Sequence, residues 1–500
     1  GIQKQICIKI EYRVKIILTN LRRGEQILHY ILIGRFMNKL KSTIFCLLVI
    51  FLMGCEDFLT GDLLDNDPNK VDDVSIISIE SLLVGSQVSM YGVMESYLNR
   101  MVTMIMQQMA GQKLEYYSDY NCSPIDRNTN GRWSAIYGTG GLIDIRTIQE
   151  KARDQEKYLV LGIAQMWEAL IISTAADLWG DIPYSEAANS NYESPNLDSQ
   201  REVHEAVLEL INDAINNFSL GQVQTFSSNY DFSFGGNANK WIAVAHTLAA
   251  RIYLNWAEVD GIQAYENALF HAEQGVSSSN GTGDWRALHS TTNNEQSIWW
   301  QFTIKNNDYM GAGHLLVDML ENDNDGRLNI YFSGDPVVGV KPGETQFYGS
   351  DLNSNTYGSR DYGVEFISWY ENKFIVAECQ YSMGNENSAR ITLNSILDDL
   401  EVKWQTIEST CSLPRYENVG GNNLYEAIMN EKYKAMFLNI QTWSDWRRTG
   451  FPNFIDSDGE STSCAGGTPR RLLYPEKEKS TNPNFPTNDS IYDRVQNDPN

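Results

Sequence analysis

Basic residues are scarce in this 500-residue chain: 39 Lys and Arg stand against 64 Asp and Glu, a formal net charge of −25. Residues 1–54 hold nine of the basic residues and two of the acidic ones, so the body from Cys55 onward is more acidic still. A surface of that sign repels phosphate backbones and anionic headgroups alike, so nucleic acid is not expected as a partner. Cysteine is sparse too. Cys7, Cys46, Cys55, Cys122, Cys379, Cys411 and Cys464 contain no CxxC pair and match no zinc template. The four beyond Cys55 allow one or two disulfides in an oxidising compartment, with the pairing open. A buried free thiol is an equal reading for Cys379, which lies in a helical pattern.

Catalytic signatures are missing as well. The six histidines (His29, His204, His246, His271, His289 and His314) form no HExxH, since His204-Glu205 lacks a second histidine four residues on. His246 and His271 fall in alanine-rich helical patterns that suit packing histidines. No G-x-S-x-G, Walker loop or dinucleotide fingerprint occurs. Carboxylates are too abundant for any one pair to identify a glycosidase, so an enzyme is not expected, and a surface glycoside hydrolase ranks third among readings. In "ENDNDGRLNIYF" (321–332), Glu321, Asp323, Asp325 and Gly326 occupy positions 1, 3, 5 and 6 of an EF-hand loop. Phe332 stands where the bidentate glutamate is required, which excludes the EF-hand. A weaker loop-bound calcium stays open without support, and no cofactor is expected.

No apolar run before the main body is long enough to span a bilayer, which takes ~20 residues. Residues 37–58 read "MNKLKSTIFCLLVIFLMGCEDF". Lys39 and Lys41 precede a short apolar stretch, Thr43–Met53, which ends at Gly54-Cys55. That order describes a signal peptide, and Leu52-Met53-Gly54-Cys55 resembles the bacterial lipobox. We therefore expect 37–54 to be removed and Cys55 to be the lipidated first residue of the mature protein. Residues 1–36, basic and without methionine, read as upstream sequence from a misplaced start, with an amphipathic extension as the alternative. Residues 55–76, acidic and rich in turn formers, suit a tether, leaving 77–500 as one domain.

Beyond the tether, apolar residues recur at helical spacing. Residues 158–179 and 201–218 form one pair of predicted helices, and 240–256 and 264–276 a second. The second helix of the first pair carries Val203, Val207, Leu210, Ala214 and Phe218 as its stripe. Later segments, 366–381, 391–400 and 425–440, continue the pattern. Large aromatics alternate with alanines, as in tetratricopeptide-like hairpins where small residues let helices nest. Segments 112–135, 219–238 and 280–362 are rich in Asn, Ser, Gly and Asp. The last is too long for a plain connection and reads as a functional insertion, with a short strand at "SIWWQFTI" (297–304). Trp299 and Trp300 are read as core.

Seven blocks together resemble the SusD/RagB family of Bacteroidetes outer-membrane lipoproteins, its SusD-like branch in particular. They are "QQMAG" (107–111), "DLWGDIPYSEA" (177–187), "KWIAVAHTLAARIYL" (240–254), "NDNDGRLNIYF" (322–332), "KFIVAEC" (373–379), "WSDWRRTGFPNF" (443–454) and "PRRLLYPEKEKSTNPN" (469–484). The resemblance implies a mostly α-helical domain on a tetratricopeptide-like scaffold, with minor strands and long ligand-binding loops. It implies a cell-surface protein, anchored in the outer membrane through Cys55, that binds a glycan or peptide. Such a protein passes its nutrient, most often an oligosaccharide, to a partner SusC-like TonB-dependent transporter. A helical scaffold that binds protein partners and no small nutrient is the alternative.

The binding residues are expected in the loops, where aromatics offer stacking faces to the C–H side of a sugar. Tyr116, Tyr117 and Tyr120 in 112–135, and Trp285, Tyr309, Phe347 and Tyr348 in 280–362, are the candidates. In "TWSDWRRTGFPNF", Arg447 and Arg448 clamp either an acidic ligand or internal carboxylates. The structural reading is preferred because the motif sits at a helix end and not in a variable loop. Trp133, Trp179 and Tyr184 are read as structural too.

Overall fold

A computed structural model describes residues 77–499, apart from 125, 346 and 347. The lipobox, Cys55, the tether and Phe347 therefore lie outside the described residues. Helix α1 (Ile79–Glu95) opens on Ser78, whose hydroxyl accepts from the Ser81 amide. Helix α2 (Tyr97–Ile105) follows at once and leads into strand β1 (Met109–Gly111). Segment 112–135 is not a bare loop: it holds α3 (Leu114–Tyr120) and the start of α4 (Asn130–Tyr137). Helices α5 (Leu142–Asp154) and α6 (Tyr158–Trp179) come next.

Helix α6 organises the scaffold because it is apolar on every side. All its residues but Tyr158 and Thr174 are buried. Among the described residues it is the one helix long and apolar enough to cross a membrane, and it is enclosed by protein. Its internal charge is satisfied: Glu168 accepts from Arg146 Nε at 3.0 Å and Gln149 Nε2 at 2.6 Å, both from α5. Helix α7 (Gln200–Gly221) begins with a capping box in which Ser199 and Glu202 serve each other's backbone. Its buried stripe is Val203, Val207, Ile211, Ala214 and Phe218, with Ile211 replacing the expected Leu210, which is only half-buried. Gly162 of α6 lets the Phe218 ring lie on the helix, since a Cβ there would come within 2.8 Å of it.

The expected second pair forms as α8 (Ala238–Asn255) and α10 (Ile262–Ala272), joined by the single turn α9 (Ala257–Asp260). Segment 280–362 carries strand β2 (Trp285–Arg286), α11 (Ile298–Lys305), β3 (Met310–Ala312), α12 (His314–Asn322) and α13 (Arg327–Tyr331). Strand β4 (Glu365–Ile367) precedes α14 (Trp369–Ser382) and α15 (Glu386–Gln405). Helix α16 (Asn422–Ala435) stops where Leu438 takes φ +62° and resumes as α17 (Gln441–Thr449), so the expected 425–440 helix is two. Helix α18 (Glu476–Thr481) is the last. The helices pack in series: α5 on α6, α6 on α7, α7 on α8, α8 on α10, α10 on α14 and α14 on α15. The protein is thus mostly α-helical, consistent with a tetratricopeptide-like array, and forms one compact unit from Ser78 on.

"SIWWQFTI" corrects the strand expectation, since it forms α11. Ser297 caps it by accepting from the Trp300 amide, and Trp299 and Phe302, three apart, share the buried face. Composition favoured a strand, but the cap and the period-three burial decide for a helix. Trp299 is core as expected, whereas Trp300 is half-buried beneath Arg360, 4.9 Å from its ring centre.

Candidate functional site

Strands β1 and β3, two hundred residues apart, pair antiparallel with Met109 opposite Ala312 and Gly111 opposite Met310. The Ala312 amide donates to the Ser350 carbonyl at 2.8 Å, which brings 348–351 alongside. Glycines allow the approach: a Cβ on Gly311 would lie 2.5 Å from the Gly349 oxygen, and one on Gly111 still closer to the Tyr116 oxygen. Segments 112–117, 308–312 and 348–351 thereby meet at one surface.

There Lys113 Nζ lies 3.3 Å from Asp308 Oδ2 and 5.5 Å from the centre of the Tyr348 ring. The Gln112 amide donates to the Tyr309 carbonyl at 2.8 Å, while both polar atoms of the Gln112 side chain are buried without a partner among the described residues. Tyr348 is 62% exposed, and Tyr117 and Tyr309 are half-buried. Nearby, Asp351 is raised above the usual carboxylate range by burial, with the charge of Asp308 adding to the effect. Tyrosine side chains, an ion pair and an exposed ring thus lie along one stretch of surface.

Three expected ligand residues are placed elsewhere. Tyr116 and Tyr120, four apart on α3, both point inward. Tyr116 packs 5.1 Å from Phe302, 5.9 Å from Tyr97 and 6.2 Å from Tyr309, ring centre to ring centre. The Tyr120 hydroxyl donates to the Val340 carbonyl. Trp285 is fully buried between Trp167 at 4.7 Å and Trp241 at 4.9 Å. None of the three presents a free face, so each is corrected from stacking platform to core; the helical period of α3 selects which tyrosines turn in. Tyr348 is brought to Lys113 and the Tyr309 carbonyl to the Gln112 amide, so both border the start of α3, on which Tyr117 stays half-open.

A disulfide between Cys122 and Cys464, 342 residues apart, fastens the end of α3 to the C-terminal region. Gln107 Nε2 reinforces the junction by donating to the Thr462 carbonyl at 2.7 Å. Cys379 and Cys411 remain free and buried, and burial pushes the Cys411 thiol up to about 11.

A second cavity, of about 630 Å³, was not legible in the sequence. Val88 of α1, Phe232, and Leu288 and Ile298 form its apolar wall. At its inner side His289 Nε2 lies 2.6 Å from Glu95, which also accepts from the Val364 amide at 2.7 Å. Burial opposes a charge on His289, but its bond to Glu95 outweighs this and raises its pKa. Most polar groups at the rim bond one another: Ser290 with Glu295, the Asn294 amide with Gln296, and Gln301 with the Gln296 carbonyl. Three bland segments supply these walls, so no motif announced them.

The motifs read as structural are structural. Trp443, Arg447 and Arg448 are buried, Arg448 holds Glu378 with Nη2 to Oε2 at 2.7 Å, and Arg447 donates to the Arg470 carbonyl at 2.9 Å. Trp179 Nε1 donates to the Leu473 carbonyl at 2.9 Å, and Trp133 packs edge-on at 5.2 Å from Trp179. In 321–332, Asp325 is taken by Arg327 and Asp323 by Lys434 at 2.7 Å. Among the described residues no group of three or more His, Cys, Asp or Glu is arranged to hold a metal.

Comparison with known proteins adds the following. A family model described as SusD-like, starch-binding associating with outer membrane, matches residues 68–475. A solved chitin-binding protein superposes with a TM-score of 0.69 at 20% identity, over 85% of this chain and 100% of its own. A SusD-like protein of Bacteroidetes gives a TM-score of 0.70 at 18% identity, over 84% and 100%. A SusD homolog from Bacteroides uniformis gives 0.68 at 18% identity, over 86% and 100%. No curated protein matches the sequence. At these identities the solved structures show a shared helical fold.

Proposed function

The chain belongs to the SusD-like family, described as starch-binding and associating with the outer membrane, and from that premise we propose that it binds a glycan at the cell surface. The ligand is an oligosaccharide held where Lys113, Tyr309 and Tyr348 meet, without a covalent step. The observation that carries this is the exposed Tyr348 ring beside the Lys113–Asp308 pair. A sugar lays its C–H face on the ring while its hydroxyls bond to charged and amide groups around it. The chitin-binding neighbour supports a saccharide as the ligand class. Within this reading Cys55 carries the lipid anchor, and a SusC-like TonB-dependent transporter receives the bound nutrient.

The test is isothermal titration of the full chain against neutral and acidic oligosaccharides. Tyr348→Ala and Lys113→Ala should each weaken binding by about tenfold, or ~1.4 kcal/mol, with an unchanged melting temperature. Unchanged affinity in both would move the site to the 630 Å³ cavity. Binding to no saccharide, with tight binding to a protein partner, would leave the scaffold reading.

A further inference from the structure

Beside Tyr116, the inward-facing ring of α3, a buried charge has no counterion among the described residues. Arg100 rises from α2 and is 5% exposed. Its guanidinium carbon lies 4.2 Å from the centre of the Phe302 ring, and 5.8 and 5.9 Å from those of Tyr116 and Trp299. Among the described residues Nε and Nη1 are sealed from solvent without a hydrogen-bond partner, so Nη2, beside the Tyr116 hydroxyl, is the nitrogen an incoming group would reach. Asp119, the acid on the inner face of α3, is engaged by the Tyr97 hydroxyl instead.

Four other buried cations in this acidic chain are matched. Arg251 holds Glu371 at 2.6 Å, Lys432 holds Asp445 at 2.9 Å, Arg448 holds Glu378, and Arg327 sits between Asp325 and Glu431. An uncompensated buried ion costs several kcal/mol, whereas an aromatic face returns roughly 0.5–2 kcal/mol. Arg132 of α4, half-buried, adds a second positive charge. Burial lowers the Arg100 pKa, and Arg132 contributes to the lowering against the opposing effect of Tyr116. Lys113 stands at the start of α3, three residues before Tyr116. In a protein with 64 acidic residues, a buried guanidinium that no carboxylate among the described residues pairs is suited to an incoming anion.

We propose that the ligand of this surface is an acidic saccharide, whose carboxylate or sulfate group docks on Arg100 with Arg132 beside it. This rests on the glycan-binding reading and names its ligand class. The exposed Tyr348 ring takes the sugar face, and the guanidinium supplies the charge that a neutral glycan would leave unmatched.

The test titrates the full chain with neutral oligosaccharides (malto- and chito-series), uronate oligosaccharides and sulfated oligosaccharides of matched length. At least one acidic series should bind tenfold or more tightly than the neutral ones, with affinity falling as salt rises. Which acidic series binds identifies the anion as carboxylate or sulfate. Arg100→Met should abolish that preference while holding or raising the melting temperature, because it removes an unmatched buried charge in a side chain of similar length. Arg132→Gln should weaken acidic binding severalfold without unfolding. Equal or tighter binding of neutral glycans overturns the acidic assignment and leaves the glycan reading standing. Binding of no saccharide overturns the glycan reading itself. An Arg100→Met protein that keeps its acidic preference also refutes the assignment.

Discussion

Glu378→Gln removes a charge from the core while keeping the shape of the side chain. Glu378 on α14 and Arg448 on α17 are both buried, joined through both guanidinium ends. Arg448 Nη2 also reaches Asp445 at 2.8 Å, and Lys432 of α16 holds Asp445 at 2.9 Å. Two cations and two anions thus tie three helices together. After the substitution, Lys432 and Arg448 share the Asp445 carboxylate, and the Arg448 guanidinium loses its charged partner on α14. Breaking a buried pair by removing one partner costs about 3–5 kcal/mol. An unfolding entropy of ~2.1 cal/mol/K per residue over about 420 residues gives ~0.9 kcal/mol/K. The melting temperature should then fall by roughly 3–6 °C if the unit melts together. Differential scanning calorimetry at pH 7 measures this directly. The companion Glu378→Met/Arg448→Met removes both charges, and most of the loss should return, since apolar replacement of a whole buried pair is often neutral. A shift under ~1 °C for Glu378→Gln, or a double variant less stable than the single one, would refute the reasoning.

The part of the stability that Asp284 contributes should fall as pH rises from 5 to 8. Burial, helped by the nearby Glu365 charge, lifts the Asp284 carboxyl to about 7, so the folded protein holds that proton more tightly than the unfolded chain. The resulting stability is complete below about pH 4 and is lost as pH climbs through 7; Asp119, raised to about 6 by burial, acts in the same sense. Asp284→Asn keeps the acceptor for the Trp369 amide and should flatten the melting temperature across this range; an unchanged slope would exclude Asp284 as its source. Cys122→Ser should cost about 2–5 kcal/mol by opening a long covalent loop. Mass-mapped alkylation of the native variant should then label Cys464 and leave the buried Cys379 and Cys411 unmodified, and native labelling of those two would contradict their burial.

Much of the scaffold was readable because helix periodicity is local. The 158–179 helix has the expected ends, and its neighbours differ from expectation by a few residues. The structural reading of Arg447 and Arg448 also followed from their place at a helix end. The site was less legible. Tyr116 and Tyr117 are adjacent and chemically alike, and only their angle on α3 separates a core residue from a half-exposed one. Trp285 reads as a loop aromatic until β2 pairs with β4 and turns it between two tryptophans.

By itself the sequence determined the helix positions, the acidic charge, the missing catalytic motifs and the blocks that mark the family, since each depends on residues close together in the chain. Tertiary structure alone decided the Cys122–Cys464 pairing, the meeting of Lys113 with Tyr348, and the isolation of Arg100. These depend on strand pairings across two hundred residues and on which charges find partners. Burial sets the cost of an unmatched ion, and burial is a property of the folded chain.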